Sequence, residues 1–422
     1  MGVATLITAS PPPRLADTAS RHPRFHPPHK GEGGRRASDS RITAGIVALA
    51  AIALLIGGAF AGLLFEGAHD SSGAWAAFDP YLLRVVRFTL WQAALSTLLS
   101  VGPALFVARA LSRHPRFLGR AFILQLFAVP LALPAIVAAL GILALYGRAG
   151  YFAGVLTMIG GGSWPGIYGL SGILVAHVFF NLPLSVRLFL EALQTIPADQ
   201  WRLASQLGMG ARPAYRLIEW PTLRASLPGV AGLVFMLCIT SFTIVLTLGG
   251  GPAATTLEVG IYQALRFDFD PARAVTLTLL QIALTFVVAR ELTRLGANAV
   301  GDTSLPVAPR RYLSVSGTET SLNAVLIVLA LVFVVGPMAA TVLAGLGADL
   351  GRLAGEAAVR QATLTSVVLA FLSALLSVML SLALTMARRA LALARRAGAR
   401  TLLEHATDTG AGFVLVVPPV VI

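Results

Sequence analysis

Residues 322–345 read LNAVLIVLALVFVVGPMAATVLAG, an apolar stretch without a charged side chain. A helix of this length is long enough to cross the hydrocarbon layer of a membrane, which is about 30 Å thick at a rise of about 1.5 Å per residue. Lipid offers no hydrogen bonds to the open edge of a β-sheet, so a continuous apolar run of this kind must satisfy its backbone internally. The stretch is therefore predicted to be a transmembrane helix.

Similar stretches recur along the whole chain. Hydrophobic residues make up 56% of the 422 residues and charged residues only 12%, with a mean hydropathy of +0.79. One water-soluble core cannot hide so much apolar surface. The predicted fold class is therefore an all-α polytopic membrane protein, a helical bundle. Eight spans and the start of a ninth are predicted, at 42–65, 88–108, 121–146, 167–186, 227–248, 274–289, 322–345, 362–387 and 412–422.

The basic residues indicate an orientation. The formal charge of +13 would suit a nucleic-acid partner, but its placement follows the predicted spans. With a cytoplasmic N-terminus, 25 basic residues lie inside the cell and seven outside, which is the asymmetry of the positive-inside rule. A nucleic-acid partner is therefore not needed. The seven outer residues are Arg84, Arg87, Arg148, Arg266, Arg273, Arg352 and Arg360.

An internal repeat indicates two units. The sequence LSTLLSV at 95–101 returns as LSALLSV at 372–378, in each case inside a span that precedes a basic turn. We predict a disordered basic cytoplasmic arm over 1–41, a first unit over 42–295, a cytoplasmic linker over 296–320 and part of a second unit over 321–422. The second unit stops before the counterpart of the 194–221 loop, so we expect the chain to be truncated at its C-terminus.

The loop between the fourth and fifth spans is QTIPADQWRLASQLGMGARPAYRLIEWP, residues 194–221. Pro197 suits the first turn of a helix, Asp199 favours its positive end, and Gly208 and Gly210 are expected to end it. Trp201, Ala204 and Leu207 form its expected apolar face. A short turn over 214–218 follows, and Pro221 is expected to close the segment. Such a helix suits either a groove in a separate protein or the membrane surface, and its residues leave both open.

The loop resembles a known signature. Binding-protein-dependent importers of the ATP-binding-cassette (ABC) class carry a cytoplasmic E-A-A-x3-G-x9-I-x-L-P motif, whose helix couples the permease to its ATPase. Ala204, Gly208, Ile218 and Pro221 occupy the matching positions. The sequence departs from the motif where Arg202, Leu203 and Trp220 replace its Glu, Ala and Leu.

Several stretches of the sequence are similar to the thiamine permease branch of this class. QWRLASQLGM at 200–209, RLIEWP at 216–221 and LGGGPAATTLE at 248–258 carry the likeness, which continues through 261–273. It implies two fused permease units in a bacterial inner membrane, with an ABC ATPase subunit in two copies and a periplasmic thiamine-binding protein. The cargo would be thiamine, thiamine monophosphate or thiamine pyrophosphate, and a ferric-iron permease is the alternative. The implied coupling residues are Asp199, Trp201, Arg202, Ala204, Leu207, Gly208, Ile218 and Pro221.

The sequence offers no catalytic motif. It has no Gly-x4-Gly-Lys-Ser/Thr phosphate loop, no Gly-x-Ser-x-Gly turn and no His-Glu-x-x-His pair, and its seven histidines are scattered. We therefore expect a transporter subunit rather than an enzyme, with no cofactor and no metal, and expect ATP to be hydrolysed by a partner.

Two groups of polar residues are candidates for the substrate path. His177 and Asn181 lie one turn apart within a span, where polar groups are costly, although hydrogen bonding between helices would also explain them. Glu258, Asp268 and Asp270 lie in a predicted periplasmic loop with Tyr262, Phe267 and Phe269, a combination that suits a cationic aromatic molecule. The same acidic and aromatic residues would also suit helix caps and an interfacial belt.

Overall fold

The computed structural model describes residues 32–68, 79–160, 163–294 and 317–393. These residues form helices and their connections, and no strand occurs among them. The helices are α1 (Glu32–Ala68), α2 (Pro80–Arg113), α3 (Arg120–Leu126), α4 (Val129–Ala132), α5 (Ala135–Tyr146), α6 (Ala153–Gly160), α7 (Leu170–Gln194), α8 (Ala198–Gln206), α9 (Ala211–Ala214), α10 (Trp220–Ile239), α11 (Thr243–Leu248), α12 (Leu257–Arg266), α13 (Pro271–Arg294), α14 (Gly317–Leu346), α15 (Leu350–Gly355) and α16 (Ala357–Leu393). A π-helix at Tyr215–Glu219 joins α9 to α10, and a 3-10 turn covers Pro252–Ala254.

Seven of the described helices are long and apolar enough to cross a membrane, and a bent pair makes an eighth crossing if it is counted as one span. This confirms the all-α polytopic fold class. The ninth predicted span, 412–422, and residues 1–31 of the predicted arm over 1–41 lie outside the described residues. Helix α1 begins at Glu32, so residues 32–41 belong to a helix rather than to a disordered arm. The apolar pattern indicates only the part of a helix that lies in lipid. It does not predict whether the helix continues into the polar residues before it.

The third predicted span is not one straight helix. Residues Arg120–Ala132 and Ala135–Tyr146 meet at an angle of 112°. The break falls at Leu133, whose φ of −79° and ψ of 134° are extended, immediately before Pro134. A proline disfavours the helical conformation of the residue before it and offers no N–H of its own. The chain therefore turns there.

The fifth predicted span, 227–248, also needs correction. Its helical segment runs from Ala211 through the π-helix at Tyr215–Glu219 to Ile239 and stops there, and α11 follows as a separate short helix. The Thr240 hydroxyl donates to the carbonyl of Met236 at 3.0 Å. This side-chain bond occupies a carbonyl at the end of the ladder and is typical of places where a helix bends or ends.

The centre of the bundle is formed by α2, α7 and α10, which pack against one another, with α14 against α2 and α5. Helix α1 packs instead on α13 and α16. The two copies of the repeat begin 15 residues after the starts of α2 at Pro80 and α16 at Ala357, so they occupy the same place in both helices. Ser96 and Ser100 in the first copy are buried, whereas the matching positions in α16 are exposed.

Candidate functional site

Helix α8 lies at the end of the central bundle where α2 and α7 finish. Asp199 lies in the first turn of the helix, as predicted, and Pro197 directly precedes the helix rather than lying within its first turn. Trp201 and Ala204 are each 1% exposed. They belong to the same buried cluster as Leu111 of α2 and Leu193 of α7. The inner face of α8 is therefore fixed to the bundle by apolar packing.

Gly208 ends α8 in a left-handed conformation, with a φ of +62°. Its N–H donates to the carbonyl of Ser205 at 3.1 Å, and the N–H of Met209 donates to the carbonyl of Ala204 at 2.9 Å. These two bonds form the Schellman pattern, which glycine adopts without the steric cost of a Cβ. The left-handed end of α8 thus explains why a glycine suits this position of the signature.

The outer face of α8 is exposed and partly apolar. Leu203 is 55% exposed and Leu207 is 63% exposed. Leu207 was predicted on one apolar face with Trp201 and Ala204, but it is not buried with them. Its N–H bonds to the carbonyl of Leu203, so it follows Leu203 by one helical turn and lies on the same exposed side. Arg202 also points outward and pairs with Asp199 at 3.1 Å, both side chains being more than half exposed. A partner could contact this face without disturbing the core.

Pro221 was predicted to close the segment after α8. The chain instead continues through Pro221 into α10. The N–H of Trp220 donates to the carbonyl of Tyr215, five residues back, so the turn before the proline is a π turn. A helical proline lacks its own donor and crowds the carbonyl four residues back, and a widened turn relieves this conflict. Ile218 is buried on the inner side of the turn.

Four charged side chains meet beside this π turn. Arg109 and Arg113 lie one turn apart at the end of α2, and both bind Glu219, with Nε to Oε2 at 3.0 Å for Arg109 and Nη2 to Oε2 at 3.2 Å for Arg113. The Glu219 side chain is only 1% exposed. Arg109 also lies over the ring of Tyr215, 4.7 Å from its centroid. The turn is therefore held to α2 by charge-assisted bonds.

Glu319, at the start of α14, completes this charged cluster. Its Oε1 accepts from Arg109 Nη2 at 3.2 Å and also from Arg113 Nη1. A second contact lies nearby, since His114 Nε2 and Asn323 Nδ2 are 3.1 Å apart. The arginines thus bridge the turn after α8 to a helix that lies about a hundred residues further along the chain.

His177 and Asn181 lie in α7, at its contacts with α2 and α10. His177 Nδ1 is 2.9 Å from Ser96 Oγ of α2, and Asn181 Nδ2 contacts Cys238 Sγ of α10 at 3.4 Å. Gln92 Nε2 donates to the Cys238 carbonyl at 2.9 Å. These contacts are the hydrogen bonds between helices that the sequence left open as an explanation. Gln92 Oε1 and His177 Nε2 remain buried without a hydrogen-bond partner.

Glu258 lies in the first turn of α12, near the opposite end of α2. It is fully buried, and neither carboxylate oxygen has a hydrogen-bond partner. Burial raises the pKa of this carboxyl to about 8, because desolvation disfavours the charged form. Tyr262 is one turn further along the same helix, and its ring packs on Phe242 with centroids 5.1 Å apart. A buried acid thus precedes an aromatic pair.

Asp268 and Asp270 have different environments. Asp268 lines a cavity of 350 Å³ with Asp79, Tyr81, Gln263 and Arg273, among others. Asp270 accepts the N–H of Arg273 at 2.9 Å and so caps the start of α13, which is the structural explanation that the sequence left open. Phe267 and Phe269 are exposed. The acidic residues therefore do not form one group.

Sequence reasoning missed the charged cluster, although Glu219 stands in the quoted loop. Its arginine partners are 106 and 110 residues earlier in the chain. Two signals could have indicated it, a pair of arginines spaced by four residues at the end of a span and an acid directly before the next span. In the described part of the chain, no three His, Cys, Asp or Glu residues are grouped so as to hold a metal ion.

Comparison with known proteins gives consistent results. Residues 100–295 match the family described as binding-protein-dependent transport system inner membrane component. The chain is 54% identical to the thiamine transport system permease protein ThiP of Brucella abortus (strain 2308) over 379 residues, which cover 90% of this chain and 68% of that protein. The protein of the same name from Escherichia coli (strain K12) is 46% identical over 73% of this chain and 57% of its own length. A probable sulfate transport system permease of Helicosporidium is 27% identical over 52% of this chain and 83% of its own.

Proposed function

This chain belongs to the family of thiamine transport permeases, which are inner membrane components, and from that premise we propose that it forms the translocation path of an ATP-driven importer. The cargo is thiamine or one of its phosphates, delivered by a periplasmic binding protein. A separate ABC ATPase hydrolyses the ATP. The N-terminus is cytoplasmic, as the distribution of basic residues indicates, so α8 faces the cytoplasm.

The two faces of α8 carry this proposal. Trp201 and Ala204 anchor the inner face in the core, while Leu203 and Leu207 are exposed on the outer side. An apolar pair on a short helix fits the groove of a protein partner. The ATPase is the partner that the family membership supports, because the glycine and proline positions of the coupling signature are occupied by Gly208 and Pro221.

Recognition of the cargo is proposed at the opposite end of α2. Thiamine carries a permanent positive charge on an aromatic ring, which a carboxylate and aromatic faces would both attract. The cavity of 350 Å³ lies within the size range of small-molecule sites, about 300–1,000 Å³. Asp79 and Asp268 supply two carboxylates to its lining against the single guanidinium of Arg273. Glu258 on α12 and His177 with Asn181 on α7 are the further groups that we propose for the path.

The test is uptake of radiolabelled thiamine by a strain that lacks its own permease. The strain receives this chain together with the ATPase and the binding protein from the same genome. We expect thiamine uptake and no uptake of ferric iron, and iron uptake without thiamine uptake would instead establish the alternative cargo. Asp268→Asn should lower uptake, whereas Asp270→Asn, at a residue that only caps a helix, is the matched control. Equal uptake by both variants would remove Asp268 from the path.

Docking is tested separately from uptake. The double variant Leu203→Ala and Leu207→Ala should release the ATPase during co-purification, since each buried leucine contributes about 1.5–3 kcal/mol to a contact. Leu118→Ala is the matched control, because Leu118 is fully exposed in the loop after α2. Retention of the ATPase by the double variant would contradict docking on α8.

A further inference from the structure

The charged cluster joins three separate pieces of the chain. Arg109 and Arg113 belong to α2, Glu219 to the π turn that follows α8 and α9, and Glu319 to the first turn of α14. Arg113 Nη2 also donates to the Ala211 carbonyl at 3.1 Å, at the first residue of α9. The start and the end of the segment after α8 are therefore both held by one arginine.

The cluster is balanced in charge and largely buried. Two guanidinium groups face two carboxylates, and the side-chain exposures range from 1% for Glu219 to 24% for Arg109. In such surroundings opposite charges interact far more strongly than at the surface, and removing one leaves the others buried without compensation. The planar fork of arginine also fixes the direction of its bonds, which gives the contact a defined geometry.

We propose that Arg109, Arg113, Glu219 and Glu319 form a charged joint that makes the α8–α9 segment, α2 and α14 move as one body. The joint rests on the proposed function in one respect, namely that α8 receives the motion of a docked ATPase. These four are positioning residues, since they do not touch the cargo.

The joint gives a direct mechanical path to α14. A displacement of α8 passes to Ala211 through the short connection over 207–210, and Arg113 binds Ala211 and Glu319 at once. Helix α14 opens the second predicted unit. Movement at one docking helix would thus reach both units through side chains rather than through the connecting chain, whose residues 295–316 lie outside the described ranges.

The experiment uses Glu319→Gln in the full chain, with Glu191→Gln as the matched control. Glu191 pairs with Arg187 at 3.2 Å, but both side chains are about half exposed. The first readout is crosslinking between cysteines placed at His114 and Asn323, whose side chains are in contact beside the joint. Cys238 is the sole native cysteine and is buried, so background labelling is low. We expect Glu319→Gln to slow crosslinking at least about fivefold, within the range of typical coupling between sites, and Glu191→Gln to leave it unchanged.

The second readout is the amount of thiamine taken up per ATP hydrolysed by the assembled complex. If the cluster only supported folding, its loss would lower thiamine uptake and ATP hydrolysis together. If it transmits motion, its loss should lower uptake per ATP by about 5- to 150-fold. Glu319→Asp, which keeps the charge, should restore much of both readouts and guards against misfolding of the Gln variant.

Unchanged crosslinking in Glu319→Gln would overturn the joint, and so would slowed crosslinking with an unchanged ratio of uptake to hydrolysis. If the parent chain itself takes up no thiamine, the proposed function fails. Crosslinking would then still decide whether the cluster holds α2 to α14.

Discussion

Buried polar groups near the two ends of α2 differ in their hydrogen bonding. At the Arg113 end, the buried charge of Glu219 is matched by two arginines. Toward the other end, Gln92, His177 and Glu258 each keep a buried polar atom without a hydrogen-bond partner. A buried group that is fully bonded holds one arrangement, whereas an unbonded group raises the energy of the state observed and gains from a change of partner. We therefore expect the contacts of Glu219 to stay fixed and the unbonded groups toward the other end to be able to change partners.

The largest effect that could break this comparison is expected for Glu219→Ala. It leaves two arginines in largely buried positions without one of the two carboxylates that they share, which should lower the free energy of unfolding by about 3–5 kcal/mol. Thermal unfolding in detergent measures the loss. Glu191→Ala, at an exposed pair, is the control, and a similar small loss for both variants would show that the cluster is not a fixed part.

Glu258→Gln should raise the free energy of unfolding, unlike Glu219→Ala, and the gain should depend on pH. Burial raises the pKa of Glu258 to about 8, so between the ordinary value of 4.5 and 8 the folded state holds a proton that the unfolded state has released. The native protein therefore loses stability as pH rises through this window, by at most about 1.4 kcal/mol per pH unit. The variant lacks this loss, so its advantage should grow from pH 5 to pH 8.

Melting temperatures of both proteins across that range provide the measurement. Parallel curves for native protein and variant would show that Glu258 is not the buried neutral acid described above. Asp270→Asn serves as a comparison, because Asp270 already has a hydrogen-bond donor.

Gln281→Leu sharpens the comparison with a smaller effect. Both polar atoms of the Gln281 side chain are buried in α13 without a partner. A leucine of similar size removes this cost, and we expect a gain of about 1–2 kcal/mol in the free energy of unfolding. A loss of stability would mean that the amide is satisfied in the folded state. Uptake assays of the same variant tell whether the amide also serves the cargo.

The smallest effect is expected for Arg187→Ala. Its pair with Glu191 lies on the surface, and such pairs contribute about 0–1 kcal/mol. Denaturation at low and at high salt should give nearly the same midpoint for this variant and the native protein. A loss approaching that of Glu219→Ala would contradict the argument that burial separates the two ion pairs.

Much of the fold could be predicted because apolar length alone identifies a membrane span. Trp201, Ala204 and Gly208 were also placed correctly, since helical spacing and a left-handed glycine are local properties. The bend at Leu133 depends on how single residues end a helix, and the exposure of Leu207 depends on which side of α8 packs on the bundle; apolar patterns resolve neither. Glu219 and Glu319 were missed because their partners lie more than a hundred residues away in sequence. Whether Glu258 or His177 contacts the cargo stays a prediction.

The π turn at Tyr215–Glu219 has a consequence for how this segment can vary among related sequences. A π turn is an α-helix that holds one additional residue, so everything after it is rotated by about 100° relative to an uninterrupted helix. Deleting a single residue between Arg216 and Ile218 would restore the regular helix and turn α10 relative to α9. The arginine contacts of Glu219 and the burial of Leu223 could not then be kept together with the position of Ala211. The length of this segment is thus constrained more strictly than its composition, and relatives should tolerate substitutions here far better than insertions or deletions.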